Sequence, residues 1–163
     1  MDDSHANVEV LQLAPQPVLI VRATVRVSDL SEAVGDRASA LSDFLRRHGV
    51  RPMGPPFVRY HTFGEVETDF ELGVPIAESM VGEGRVAGAE LPAGLAVATW
   101  HVGPHERLGE AYRRIAAWLR EHGRASRGPA WEVYPWLDLG GHDGPSSVPD
   151  ASGWRTQLVQ PIE

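Results

Sequence analysis

The chain has 163 residues, enough for one domain with a real core and too few for two comfortable ones. Its formal charge of −7 makes it a poor generic partner for nucleic acid, whose phosphates reward Lys and Arg, and the lack of cysteine excludes disulfides, thiolate zinc sites and a cysteine nucleophile. No run approaches the ~18 apolar residues of a membrane span, and the acidic start Met1-Asp2-Asp3 lacks the basic and apolar parts of a secretory signal, so a cytoplasmic location is expected.

Residues 1–6 read as a loose tail. Residues 8–13 read as a short strand and residues 18–27, rich in β-branched side chains, as a longer one. Asp29 is expected to cap a helix, with Glu32 as its capping partner three residues on. Leu30, Val34, Ala38, Leu41 and Leu45 follow at helical spacing, and His48-Gly49 ends the helix. Residues 57–63 and 67–76 read as two strands. The second half repeats the order, with strands at 85–91 and 95–102. Gly103-Pro104 is expected to open a helix with Pro at its first position. Leu108, Ala111, Tyr112, Ile115, Trp118 and Leu119 form the apolar stripe, and His122-Gly123 the end. Residues 131–137 and 154–162 are the last strands.

The repeat holds residue by residue at an offset of 74. Glu32 maps to Glu106, Leu41 to Ile115, Phe44 to Trp118, His48-Gly49 to His122-Gly123, Gly54-Pro55 to Gly128-Pro129 and Tyr60 to Tyr134. The expected fold is α+β: duplicated βαββ units, about 8–77 and 84–163, forming one curved eight-stranded, antiparallel-rich sheet. Two main helices lie on one face, and the whole chain, 1–163, is one domain. A single unit buries little, whereas two can share one sheet. The helix-free face, curving around the pseudo-two-fold seam, is the expected place for a central ligand cleft.

Strand alternation divides Trp131-Glu132-Val133-Tyr134-Pro135-Trp136 into two sets. Trp131 and Val133 share one face, expected to pack on the helices. Glu132, Tyr134 and Trp136 share the other, expected to look into the cleft. The matching positions of the first copy are Val58, Tyr60 and Thr62, so the tyrosine recurs and the carboxylate does not. A carboxylate among aromatic faces suits a flat organic cation, each aromatic–cation contact adding ~0.5–2 kcal/mol. A solvent-facing glutamate beside core aromatics explains the same spacing.

Three segments carry a family resemblance. They are Gly103-Pro104-His105-Glu106-Arg107-Leu108-Gly109-Glu110-Ala111-Tyr112 with Trp118-Leu119, Gly128-Pro129-Ala130-Trp131-Glu132-Val133-Tyr134, and Trp154-Arg155-Thr156-Gln157-Leu158-Val159-Gln160-Pro161-Ile162. With them the chain resembles the GyrI-like small-molecule-binding family, the effector-binding domain of AraC- and MerR-type transcription regulators. The resemblance implies that Glu132 lies in a central cleft and contacts cationic, aromatic ligands. Tyr134 and Tyr112 match further family positions. No segment is left over for a DNA-binding unit, so the chain is similar to stand-alone members and direct nucleic-acid binding is not expected.

The resemblance leaves three readings open: sensing or sequestering a small hydrophobic molecule, hydrolysing an electrophilic, cyclopropane-type natural product, or binding a protein such as DNA gyrase or a separate regulator. For the hydrolase, Glu132 and Tyr134 are the candidate catalytic pair, the carboxylate activating water and the phenol assisting proton transfer.

Trp100 is a candidate cleft wall, with core packing as the simpler role, and His101 a candidate for the cleft rim. His101 and His105 straddle Gly103-Pro104 rather than one helix face, so no metal site is expected, and nothing points to a cofactor. Trp154 is placed to cover one end of the cleft. The glycine-rich insert 140–153 occurs only in the half that carries Glu132 and is expected to act as a lid.

Overall fold

The computed structural model describes residues 7–104, 107–137 and 153–163. His105, Glu106 and nearly all of the glycine-rich insert, together with the N-terminal tail, lie outside the described residues.

Eight strands form one antiparallel sheet: β1 (Val8–Leu13), β2 (Gln16–Arg26), β3 (Phe57–Phe63), β4 (Glu67–Pro75), β5 (Ala87–Leu91), β6 (Gly94–Val102), β7 (Trp131–Val133) and β8 (Arg155–Pro161). Two helices, α1 (Leu30–His48) and α2 (Gly109–His122), follow β2 and β6. The sheet order is β1-β6-β8-β7-β3-β4-β2-β5. It reads the same when the halves are exchanged, β1 with β5, β2 with β6, β3 with β7 and β4 with β8. The halves meet where β3 pairs with β7. They also trade their first strands: β1 pairs with β6 of the second half and β5 with β2 of the first. Neither half therefore completes its own sheet.

The helix ends repeat the symmetry. Gly49 and Gly123 adopt the left-handed conformation at φ 63° and 61°, which glycine enters without steric cost. In each copy the next amide closes the motif, Val50 N–H on Leu45 O and Arg124 N–H on Leu119 O, both at 2.9 Å.

Helix starts differ from the expectation. Asp29 occupies the α1 cap position, but its side chain makes no capping hydrogen bond, because a 3₁₀ turn at Val27–Asp29 already leads into the helix. The second helix begins at Gly109 after Leu108, not at Pro104. Pro104 O instead accepts from Arg107 N–H in a preceding turn.

Packing separates the two faces of the sheet. On one face α1 covers Leu19, Val21, Val58, Phe70, Leu72 and Val74, and α2 covers Val97, Leu158 and Ile162. The helix-free face gathers Phe57, Ala96, Ala98, Trp131 and Val159, together with Leu11 and Leu13 of one edge strand and Leu91 of the other. Two edges can join one cluster only if the sheet curls around it. Gly73 makes room inside that curl: a Cβ there would lie 2.6 Å from Phe57 Cζ and 2.8 Å from Leu19 O. Among the described residues, the concave face is lined by its own apolar side chains. Trp131 and Val133 pack into it, which turns Glu132 and Tyr134 toward the helices.

Candidate functional site

β7 lies at the seam of the two halves, and Glu132 is its middle residue. Glu132 pairs in register with Val58 on one side and Leu158 on the other, both buried aliphatics. The carboxylate therefore enters apolar surroundings on the helix side, and the residue is only 4% exposed. A buried carboxylate needs donors. Tyr134, on the same face two residues on, donates its hydroxyl to Oε1 at 2.6 Å. Tyr112, on the first turn of α2, donates to Oε2 at 2.5 Å. Hydrogen bonds to a charged acceptor contribute ~1.5–3 kcal/mol each.

Tyr60 enters from β3 and hydrogen-bonds with Tyr134. These three are all the tyrosines of the chain. Burial first, and then the nearby Glu132 charge, pushes each phenol well above its ordinary range, so all three are neutral at physiological pH. Tyr112 is 38% exposed overall. Its hydroxyl is tucked against Glu132 while part of its ring forms the outer wall of the seam.

β7 ends at Val133, earlier than the alternating pattern extends, because Tyr134 N–H turns to Pro56 O and Leu137 N–H closes a turn on Tyr134 O. Trp136 therefore lies in that turn rather than on a strand. Its ring centroid is 5.2 Å from that of Tyr134, and its Nε1–H donates to Thr156 Oγ1 at 3.3 Å. Trp154 stacks on it with centroids 3.9 Å apart and planes 4° from parallel.

The structure thus brings together Glu132, Tyr134, Tyr112, Tyr60 and Trp136. Trp100 is not among them. It lies in register with Gln157, and its ring is on the opposite face under the Arg155 guanidinium, 4.6 Å away. His101 shares the helix face and pairs in register with Thr156, but its Nε2 bonds Pro104 O at 3.1 Å at the end of β6.

Sequence reasoning missed Thr156, which fixes the Trp136 ring, and Arg114, which ties α2 to β6 through Trp100 O at 2.8 Å. It also missed a polar cluster on the concave face. There Glu71, 1% exposed, accepts from Arg59 at 3.2 Å and meets His61 Nε2 at 2.5 Å, with Arg22 and Asp69 paired alongside. His61 sits at a β-bulge, which aims it at Glu71. The alternation of Arg59 with His61 in β3 and of Asp69 with Glu71 in β4 was the available signal.

The fold and the seam define a duplicated α+β domain with an acidic, tyrosine-ringed centre. Residues 6–136 match the GyrI-like small molecule binding domain, and the chain belongs to that family. Among solved structures it is similar to the C-terminal domain of EcmrR, with a TM-score of 0.77 and 21% identity, covering 96% of this chain and 97% of that domain. In the EcmrR–DNA complex, matched at a TM-score of 0.78 and 21% identity over 96% of this chain, it spans 57% of the EcmrR chain. A hydrolase from Listeria innocua matches with a TM-score of 0.66 at 14% identity, over 97% of this chain and 92% of that one. SAV2435 bound to tetraphenylphosphonium matches with a TM-score of 0.62 at 8% identity, over 96% and 94%. Curated proteins gave no significant match.

Proposed function

We propose that this chain binds a small hydrophobic molecule, cationic or aromatic, at Glu132 in the seam between α1 and α2, for sensing or sequestration. One observation carries the reading: a buried carboxylate held by two neutral phenols and walled by aromatic rings. A cation in that setting gains from the carboxylate and from each ring face, ~0.5–2 kcal/mol per ring. SAV2435, which shares the fold, is bound to tetraphenylphosphonium in its solved structure. Tyr112 is the part to move on entry, since it spans the seam from the exposed side. The net charge of −7 argues against direct nucleic-acid contact, and the reading takes a cytoplasmic chain with a separate regulator as its candidate protein partner. A single domain made of two copies fits this reading, because the site needs residues of both.

The test is a thermal shift with tetraphenylphosphonium, run on the wild type and on Glu132→Gln. The wild type is stabilised and the variant does not respond. An equal response in both removes the carboxylate from recognition.

A second reading, hydrolysis of an electrophilic cyclopropane-type compound, draws on the same pair. Water would form a C–O bond to a cyclopropane carbon as Glu132 takes its proton, the ring C–C bond would break with its electron pair passing to a conjugated carbonyl oxygen, and Tyr134 would protonate that oxygen and regain its proton from Glu132 along their hydrogen bond. The Listeria innocua hydrolase shares the fold. A product heavier by one water in mass spectrometry, lost in Glu132→Gln, moves the reading to an enzyme. The gyrase-inhibitor reading predicts co-purification with gyrase that survives Glu132→Gln.

A further inference from the structure

We propose that the outer edge of β2 takes an extended, basic segment of a protein partner as an added strand, seated in a groove between that edge and α1. The site is separated from Glu132 by β3 and β4 and stands without the ligand reading.

On its inner side β2 pairs with β4 from Val18 to Arg26. On its outer side β5 pairs only with Gln16 to Ile20. Among the described residues, no strand covers the outer edge from Val21 to Arg26, a length of about 20 Å at ~3.3 Å per residue. Alternation fixes which groups that edge offers. Ile76 N–H donates to Pro17 O at 2.9 Å, so the odd-numbered residues of β2 turn their backbone groups to β4 and the even-numbered ones turn outward. Val18 and Ile20 lie against β5. Arg22 and Thr24 present N–H and C=O to the open side, and Arg26 presents its N–H. Such a row is a template for another strand.

The open edge has a wall beside it. A groove of about 590 Å³ lies between the last residues of β2 and the first turns of α1, with Val25 and Ala33 as its apolar lining. Four carboxylates, Asp29, Glu32, Asp36 and Glu67, line it against two guanidiniums, Arg26 and Arg37. Asp36 is shared by Arg37 and by Arg85, whereas Asp29, Glu32 and Glu67 carry no ion pair among the described residues. The groove is therefore acidic and favours a basic occupant. Arg37 Nε is buried and has no hydrogen-bond partner among the described residues, so a backbone carbonyl entering there would gain a donor. An added strand would place every second side chain under α1. There a Lys or Arg lays its aliphatic stem on Val25 and Ala33 and brings its charge to the acids. The alternate side chains would pass Arg22, whose guanidinium is already bidentate on Asp69, so uncharged residues suit that face. The edge thus reads a basic–apolar alternation.

The probe is a fluorescein-labelled hexapeptide that alternates lysine with valine, titrated by fluorescence anisotropy and followed by backbone amide exchange. One control peptide is N-methylated at every residue, and a second carries glutamate in place of lysine. The wild type binds the lysine peptide, and the amides of Arg22, Thr24 and Arg26 become protected. Affinity falls by about tenfold or more for both control peptides, and likewise for the lysine peptide with Thr24→Pro and Glu32→Lys. Proline at 24 removes an outward N–H and spares the β4 ladder, so far-ultraviolet circular dichroism stays native. Equal binding of the N-methylated peptide overturns strand addition, and it does so even if Thr24→Pro fails to fold. Equal binding of the glutamate peptide overturns the basic partner. No binding to the wild type at ~1 mM peptide overturns the site. A dimer in sedimentation that Thr24→Pro disperses would give the edge to a second copy of this chain and overturn the separate partner. Thr24→Pro keeps the thermal shift that tetraphenylphosphonium gives the wild type, so this site and the Glu132 site fail separately.

Discussion

Alkaline titration tests the Glu132 centre without any ligand. All three tyrosines belong to that centre, and all 15 basic side chains of the chain are arginine, so no lysine ionises in the same range. Each phenol is pushed above its ordinary value of 10.0, first by burial and then by the Glu132 charge. A phenol whose pKa rises on folding keeps its proton in the native state and loses it when the chain unfolds. Its contribution is therefore whole below pH 10 and is lost as pH rises toward the native value. Each such tyrosine removes ~1.4 kcal/mol of stability per pH unit in that window. Tyr60 and Tyr134 together remove ~2.8 kcal/mol per unit, and the part-exposed Tyr112 adds less. The chain is therefore expected to unfold at alkaline pH, above 10, as the buried phenols are forced to ionise. The assay follows the tyrosinate absorbance and far-ultraviolet circular dichroism against pH. The two transitions should coincide. Tyrosinate appearing near pH 10 with native dichroism intact would refute the buried, carboxylate-facing arrangement.

Four further outcomes follow from named contacts. Glu132→Gln should weaken a monovalent hydrophobic cation by ~10–100-fold, read by calorimetry; a charge pair ~5 Å apart at an effective dielectric of ~20 gives ~3 kcal/mol before desolvation. Gly73→Ala should lower stability by ~1–3 kcal/mol in urea unfolding, since its Cβ meets Phe57 and backbone inside the curl. Phe44→Ala should cost ~3–5 kcal/mol, as the ring is buried where α1 meets the sheet. Glu71→Ala should cost ~3–5 kcal/mol by leaving Arg59 largely buried without its carboxylate, and the cost should persist at high salt because that pair is shielded from solvent.

The sequence alone determined the duplication, the helix stripes and the two glycine helix ends, because each depends on local spacing. The offset that maps His48-Gly49 to His122-Gly123 appears as two matching left-handed terminators. Helix starts were less legible: the spacing of Asp29 and Glu32 signals a cap, yet the 3₁₀ turn before α1 replaces its hydrogen bond. Alternation correctly grouped Glu132 with Tyr134 and Trp131 with Val133. It could not say which group faces the helices, since a period of two is the same from either side. Curling of the sheet decided that. It made the helix-free face an interior lined by Trp131, Phe57 and both edge strands, and so sent Glu132 to the seam beneath the helices. Register decided the rest. The parity of Trp100 relative to Glu132 depends on how β6, β8 and β7 align, and the arrival of Tyr112 at Glu132 depends on where α2 docks. Those are long-range contacts, and no local pattern of residues encodes them.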